Sequence, residues 1–406
     1  MKENGVRLPG IGLALSGGGF RAALFHLGSL WRLNELGIFP RLKEVTGVSG
    51  GSIVGAYLGL KWEDLEFDSQ GVAQNYQELI FHPIRSFLSR TVDSWTVLPG
   101  VILPFVHPGD ILSYFYRKHL FGQATLQDLP SRKGDPRFSI CATSLQTGSS
   151  VRMSKAYLAD HRVGYIRRPD IPLCRAVAAS SAFPPYLSPL LIRTNPDRWR
   201  HWSKRESEYA EDSWGTIPEG KYLVDERYRR GLWLVDGGIY DNMGLERIWD
   251  RYETVLVSDA GAPFTFKPWP FKQNLSWYHR TRRANRITAE QARDLRRKRL
   301  FQYYITGQAG GAYWGIGKRI DKYHLVVHGC GEPMVGDNHV TRSLCMIKTR
   351  MKKLPEMQHA YLINWGYALT DAAMRRHMLP PTAGPGQWPF PEYALDDPSA
   401  QPVEVK

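Results

Sequence analysis

Residues 45–52 read Val45-Thr46-Gly47-Val48-Ser49-Gly50-Gly51-Ser52, and an Ala- and Leu-containing stretch continues to Leu60. The apolar run Val45–Val48 predicts a buried strand and Ser52–Leu60 a helix. Between them lies a G-x-S-x-G sequence, Gly47 to Gly51. A serine on a sharp strand-to-helix turn is the setting of a nucleophile elbow: the flanking glycines permit the turn, and the helix start places partial positive charge beside it. A plain turn with Ser49 as a helix N-cap has the same local pattern. Gly51, Gly55 and Gly59 clear one stripe of the helix, and the neighbour expected against it is the helix that precedes this strand.

Upstream, Ile11–Leu15 is a second short apolar run, followed by Ser16-Gly17-Gly18-Gly19-Phe20-Arg21 and a helical stretch from Arg21 to Leu36 that Gly37 closes. Strand, helix, strand, helix in this order implies a parallel sheet with right-handed crossovers. Downstream, Phe138–Thr143, Trp233–Val235 and Thr254–Ser258 read as strands and Pro172–Ser181 as a helix; Tyr323–Val327 is a candidate late strand. Residues 61–135 interrupt the rhythm with aromatics and prolines and read as an insertion capping the sheet edge. Residues 197–230 read as an exposed, charged excursion. Seven of the 27 residues from Pro380 onward are proline, so 381–406 is expected to be a flexible tail on a single domain of residues 1–380.

Two further glycine-flanked features sit at strand ends. Gly17, Gly18 and Gly19 form a run of unshielded amides, a nest able to hold a phosphate or the oxyanion of a tetrahedral intermediate. The nest lacks the Lys-Ser/Thr of a P-loop and the G-x-G-x-x-G spacing of a dinucleotide fold. Beside a strand carrying an exposed serine, an oxyanion hole is the better fit. Asp236-Gly237-Gly238 follows another strand and so lies on the functional edge of an α/β sheet.

Taken in order, Gly17-Gly18-Gly19-Phe20-Arg21, Gly47-Val48-Ser49-Gly50-Gly51, Ala142–Gly148, Ala178–Pro185 and Asp236-Gly237-Gly238 with Asn242 give a chain that resembles the patatin-like phospholipases, a family of lipid acyl hydrolases. The resemblance spans residues 11–261. It implies a three-layer α/β/α fold with a parallel or mixed central sheet. It also implies a Ser–Asp dyad without histidine, with Ser49 as nucleophile and Asp236 as its base. Gly17, Gly18 and Gly19 would supply the oxyanion hole and Arg21 would lock the loop. Gly47, Gly50, Gly51, Gly237 and Gly238 would support the turns. Phospholipids or related lipids would be the substrates, and no metal or other cofactor would take part. Two departures are Ala22, where the family carries glycine, and the insertion at 197–230.

Two rivals stand beside this reading. One is a serine esterase using a Ser-His-Asp triad, with His324, His328 or His339 as base. The other is a non-catalytic membrane-binding module. The balance of 53 basic against 39 acidic residues gives a net charge of +14, which suits an anionic partner. Half of that excess lies in 280–299, where Arg280, Arg282, Arg283, Arg286, Arg293, Arg296, Arg297, Lys298 and Arg299 face only Glu290 and Asp294. An anionic membrane surface is the expected partner of this segment, and no motif for nucleic acid accompanies it. The same arginines could instead pair with acidic residues elsewhere. The longest apolar run, Val97–Val106, is too short to span a bilayer, which takes roughly 18–20 residues. Four cysteines without CxxC spacing suggest reduced, packed thiols and no metal site. With no secretory leader read at the N-terminus, the expected location is the cytoplasm, with peripheral attachment to membrane.

Overall fold

Along the first strand, Leu13 and Leu15 are buried in one apolar layer and Ala14 between them in another. This period-two alternation puts both faces of the sheet inside the protein. The structure is a computed structural model and describes residues 7–92, 108–185, 187–201, 222–266, 276–397 and 399–403. Its ten strands are β1 (Leu8–Leu15), β2 (Leu42–Val48), β3 (Arg137–Ser144), β4 (Ser150–Met153), β5 (Tyr157–Asp160), β6 (Gly164–Arg167), β7 (Leu190–Arg193), β8 (Gly231–Asp236), β9 (Tyr252–Asp259) and β10 (Gly310–Gly315). They join in one mixed sheet with the path β10-β9-β1-β2-β3-β4-β5-β6, while β8 pairs with β3 and β7. The pairings from β10 through β3 are parallel and the remainder antiparallel.

Five helices matter for the site: α1 (Gly19–Glu35), α2 (Gly50–Leu60), α3 (Leu173–Ser180), α4 (Trp277–Ile305) and α5 (Glu356–His377). The layer holding Leu13 and Leu15 also contains Phe25, Leu27, Ile363 and Leu369 of α1 and α5. The opposite layer packs Ala14, Val255 and Val257 against Met243, Leu245, Ile248 and Leu300, the last from α4. The fold is therefore three-layered, α/β/α. Helices α1 and α5 cross at backbone contact: a methyl group added at Gly28 would lie 1.9 Å from the Ile363 carbonyl oxygen, and one at Gly366 would lie 2.0 Å from that of Phe25.

The register around β3 places the functional edge. One edge of β3 pairs with β4 over residues 140–143. On its other edge, residues 137–141 pair in parallel with β2 and residues 142–144 antiparallel with β8. Strands β2 and β8 therefore share an edge and meet head-on, C-terminus to C-terminus. Val48 lies opposite Cys141, and Asp236 opposite the next residue, Ala142.

Several expectations are corrected. The stripe Gly51, Gly55 and Gly59 faces Leu15, Val45 and Phe138 of the sheet rather than α1; Gly50 is the glycine closest to α1, where an added methyl would lie 2.2 Å from the Gly19 carbonyl oxygen. Tyr323–Val327 is not a strand, because His324 adopts φ 50° and closes one tight helical turn before another begins. The last strand is β10, whose sequence Gly-Gly-Ala-Tyr-Trp-Gly carries too few aliphatic residues to stand out. The Pro-rich stretch is not free: Leu395 and Val403 are buried, and the carbonyls of Phe390 and Tyr393 each accept from the Asn364 side chain of α5 at 2.9 Å. Proline here supplies rigid turns rather than disorder. Within 61–135, Trp62, Tyr76, Phe81, Phe87 and Tyr116 are buried in the main core, so the described part of this insertion has no core of its own. The run Val97–Val106 and residues 202–221 of the charged excursion lie outside the described residues.

Candidate active site

Ser49 sits between β2 and α2 with φ 49° and ψ −118°. A side-chain-bearing residue at positive φ costs on the order of 1–3 kcal/mol and persists only when its surroundings hold it. Three contacts do so. The Ser49 N–H donates to the Ser180 hydroxyl at 2.9 Å, and the Ser52 hydroxyl and N–H donate to the Ser49 carbonyl at 2.6 and 2.9 Å. The close turn also excludes side chains. Methyl groups added at Gly47, Gly51 and Gly237 would lie 2.7 Å from Ser52 Cα, 2.2 Å from the Leu15 carbonyl oxygen and 2.3 Å from that of Cys141.

Asp236 ends β8, and the head-on meeting of β2 and β8 brings its carboxylate to the Ser49 side chain. The Gly238 N–H donates to its Oδ1 at 2.7 Å. Asp236 is buried, and burial raises its pKa from 3.8 to about 6; the Gly238 N–H and the neighbouring Ser49 hydroxyl favour the charged form and oppose that rise. None of His324, His328 and His339 contributes to the shift.

Helix α3 braces both residues. The Ser180 hydroxyl, which accepts from the Ser49 N–H, donates to the Cys141 carbonyl at 2.6 Å. The Ser180 carbonyl accepts from the Gly237 N–H at 3.2 Å, and the Ala182 carbonyl accepts from the Asp236 N–H at 2.9 Å. Ser180 was not among the sequence-derived site residues. Its segment, Ala178–Pro185, carries part of the resemblance, but nothing in a run of small residues marks which hydroxyl faces the turn.

The glycine nest adjoins the serine: a methyl group on Gly17 would lie 3.2 Å from Ser49 Cβ. Its amides are not equivalent, which corrects the expectation of three free donors. The Gly17 N–H is engaged by the Asn242 carbonyl at 2.9 Å. Gly18 (φ 148°) and Gly19 (φ 62°) begin α1, where the first amides have no intrahelical acceptor and the helix dipole is positive. The third donor of this turn, the Phe20 N–H, goes to the Arg350 carbonyl at 3.0 Å. Asn242 also excludes a side chain at Gly238, since its Oδ1 would lie 2.5 Å from an added methyl.

Arg21 and His26 hold the nest from behind. The buried Arg21 guanidinium donates to the carbonyls of Ala260 (2.6 Å), Cys345 (2.8 Å) and Ile347 (2.8 Å). Burial lowers its pKa to about 10. His26 is fully buried, and burial lowers its pKa to about 4, so it is neutral. Its Nε2 lies 2.9 Å from the Ser16 carbonyl, which can only accept, so Nε2 carries the proton and Nδ1 accepts from the Ser258 hydroxyl at 2.8 Å. Apart from Ser16, the partners of Arg21 and His26 lie more than two hundred residues away, so these contacts were not readable from sequence.

Among the described residues, no group of three or more His, Cys, Asp or Glu side chains could hold a metal ion, and no helix is long and apolar enough to cross a membrane. Chemically, the arrangement offers a hydroxyl, a buried carboxylate able to take its proton, and two unengaged amides at a helix start.

A family model described as "Patatin-like phospholipase" matches residues 13–249, more than half of the chain. Among solved structures, human GIVD cytosolic phospholipase A2 is similar at 17% identity over 68% of this chain and 45% of that chain, with a TM-score of 0.37. VipD from Legionella pneumophila is similar at 14% identity over 91% of this chain and 67% of that chain, with a TM-score of 0.35. The type III effector protein ExoU is similar at 17% identity over 52% of this chain and 50% of that chain, with a TM-score of 0.22. The chain thus spans less than half the length of the human protein. No curated protein sequence matches it.

Proposed function

The chain belongs to the patatin-like phospholipase family, and from that premise we propose that it is a serine lipid acyl hydrolase. It cleaves fatty-acyl esters of phospholipids or related lipids, with Ser49 as nucleophile and Asp236 as base. The observation that carries this reading is the head-on meeting of β2 and β8, which sets Ser49 beside the buried Asp236 carboxylate, whose pKa burial raises to about 6.

In the first step Asp236 accepts the Ser49 proton as Oγ attacks the ester carbonyl carbon. The carbonyl oxygen becomes an oxyanion, and the amides of Gly18 and Gly19 are the donors available to it. One such donor is worth roughly 3–4 kcal/mol in the transition state. The intermediate collapses with loss of the alcohol, which takes the proton from Asp236, and an acyl-serine remains. Water then attacks the acyl-serine, Asp236 accepts its proton, and a second collapse releases the fatty acid as the proton returns to Ser49. Burial sets the base: an exposed aspartate near its ordinary pKa is a poor match for a serine hydroxyl, and desolvation moves Asp236 toward the working pH.

A fluorophosphonate probe is expected to form one covalent adduct, at Ser49, that Ser49→Ala does not form. An adduct on another residue, or turnover by Ser49→Ala, would overturn the assignment. The pH dependence has a definite sign. Asp236 must be ionised to accept the proton, so kcat/KM on a soluble short-chain ester should rise as pH passes through about 6 and then level off. A rate that is flat from pH 5 to pH 8 (~tenfold was expected across this span) argues against Asp236 as the base.

Ser180→Ala tests the brace. The variant leaves the Ser49 N–H without its acceptor, a loss of about 1–3 kcal/mol for a buried donor. We expect kcat to fall about ten- to hundredfold with KM unchanged, and Ser180→Thr, which keeps the hydroxyl, to recover most of it. Equal kcat in Ser180→Ala and the parent would remove Ser180 from the machinery.

A further inference from the structure

Helix α4 is fastened to the body by ion pairs of Arg293 with Asp259 at 2.7 Å, Arg296 with Glu246 at 3.2 Å and Arg299 with Asp250 at 3.3 Å. The first of these reaches deepest. Asp259 ends β9, the strand beside β1, and its side chain is fully buried. A buried carboxylate is costly unless its oxygens are partnered. Three donors meet this one. Arg293 Nη2 and the Tyr313 hydroxyl donate to Oδ2 at 2.7 and 2.8 Å, and the Gly261 N–H donates to Oδ1 at 2.9 Å. Burial pushes the Asp259 pKa up, but Arg293, with help from Gly261 and Tyr313, outweighs it and holds the carboxyl below its ordinary value, so it is charged.

The pair grips the chain directly after β9 at two points. Asp259 holds the Gly261 N–H, and Arg293 Nη1 donates to the Ala262 carbonyl at 3.0 Å. Glycine is required between them. A methyl group on Gly261 would lie 2.9 Å from Arg293 Nη2 and 2.8 Å from Asn242 Nδ2, so the guanidinium and the amide occupy the place of a side chain. The turn 260–262 in its turn seats the nest. The Ala260 N–H donates to the Ser16 hydroxyl at 2.7 Å, and the Ala260 carbonyl, which accepts from Arg21, would lie 2.8 Å from a methyl group on Gly18. Gly18 therefore rests on the Ala260 carbonyl. Asn242, packed on Gly261, engages the Gly17 N–H through its own carbonyl at 2.9 Å.

We propose that Arg293 and Asp259 are positioning residues of the active site: they fix the turn 260–262 and, through it, the Gly18 amide that is open to an oxyanion. The proposal rests on the acyl-hydrolase reading, which supplies the oxyanion. The role is geometric rather than electrostatic. The Arg293 charge is countered by Asp259 at 2.7 Å and Glu290 at 3.7 Å, and neither Arg293 nor Asp259 acts on the Asp236 carboxyl. A displaced turn moves the surface under Gly18, and a misplacement on the order of 1 Å in a catalytic group can lower a rate about a hundredfold.

The test uses the full chain and a soluble short-chain ester, with every rate measured well below the melting temperature of the variant concerned. Arg293→Met removes both grips. We expect kcat to fall about ten- to hundredfold with KM nearly unchanged. The rate of fluorophosphonate labelling at Ser49 should fall in parallel, because the phosphoryl oxygen needs the same amides. The pH midpoint should stay near 6, because Asp236 is untouched. Arg293→Lys, whose ammonium cannot span both acceptors, should fall between parent and Arg293→Met. Asp259→Asn combined with Arg293→Met relieves the uncompensated charge that Arg293→Met leaves and can still accept from the Gly261 N–H. It should melt closer to the parent than Arg293→Met does, yet keep the low kcat, because the Ala262 carbonyl is still unheld. Tyr313→Phe takes a third donor from the same carboxylate and leaves both grips in place, so it should lower the melting temperature with kcat at the parental value. Parental kcat in Arg293→Met, recovery of kcat together with melting in the double variant, or a loss in Tyr313→Phe equal to that in Arg293→Met would each reduce the pair to a structural tie and overturn the proposal. A shifted pH midpoint in Arg293→Met would also overturn it, by moving the effect to Asp236. Failure of the acyl-hydrolase reading shows separately, as a parent that neither turns over the ester nor forms the Ser49 adduct.

Discussion

Asp236→Asn is expected to abolish ester turnover as completely as Ser49→Ala, with kcat/KM falling at least about a thousandfold in each and no further loss in the double variant. Asparagine preserves the shape of the side chain and can still accept from the Gly238 N–H. It cannot take a proton, so the serine hydroxyl remains protonated and a weak nucleophile. Non-additivity follows because neither group acts without the other. His324→Ala, His328→Ala and His339→Ala should keep most of the activity, because none of these side chains acts on Asp236. Should one histidine variant be as inactive as Ser49→Ala while its circular dichroism and melting match the parent, a triad replaces the dyad.

The same substitution carries a stability signature of opposite sign. The folded-state pKa of Asp236 is raised, from 3.8 to about 6. Between these values the folded state binds more protons than the unfolded state, so raising pH through the window costs stability, and above about pH 6 the cost is fully present. Asp236→Asn removes it. The variant should therefore be at least as stable as the parent at pH 7.5, by an amount on the order of 2 kcal/mol, with the advantage vanishing below about pH 4. Denaturant unfolding at both pH values reads it. An inactive yet more stable variant is what a desolvated catalytic carboxylate predicts; an inactive and unstable one would make its activity loss uninformative.

Legibility in the sequence followed the range of the interactions. The turns at Ser49, Gly17–Gly19 and Asp236 were readable because each depends on glycines adjacent in the chain. The order of strands and helices through Leu60 was readable for the same reason. The head-on meeting of β2 and β8 was not, since it depends on register along β3, which no local pattern encodes. The engagement of the Gly17 amide by Asn242 was hidden behind a separation of more than two hundred residues. The Pro-rich stretch misled because composition describes an isolated chain, whereas Asn364 and Leu395 supply polar and apolar anchors that composition does not reveal. Charge counts ignore partners: of the basic segment, Arg293, Arg296 and Arg299 pair with Asp259, Glu246 and Asp250, which are distant in sequence but lie under α4.

Arg21→Met should cost both stability and catalysis. The guanidinium is 1% exposed and joins three backbone carbonyls at 2.6–2.8 Å, those of Ala260, Cys345 and Ile347, all beyond the matched family region. Methionine fills most of the volume but donates nothing, so three buried carbonyls lose a charged donor. At roughly 1–3 kcal/mol for each unsatisfied group, with part of the loss recovered by water, the folded state should weaken by at least about 3 kcal/mol. Arg21→Lys keeps the charge but not the planar fork, and its ammonium cannot span carbonyls held in three directions, so it should recover only part of the loss. The catalytic effect has a separate path. Arg21 holds residues 345–347, and a few residues on, the Arg350 carbonyl accepts from the Phe20 N–H directly after the nest. Loosening that segment frees the Gly18 and Gly19 amides to drift, and these donors matter most when charge develops on the substrate oxygen. Measured well below its melting temperature, Arg21→Met should therefore show a lowered kcat with KM nearly unchanged, the mark of an interaction made in the transition state. A variant that melts early but turns over at the parental rate would limit Arg21 to stability, and one that keeps both parental values would show that the three carbonyl contacts hold neither the fold nor the nest.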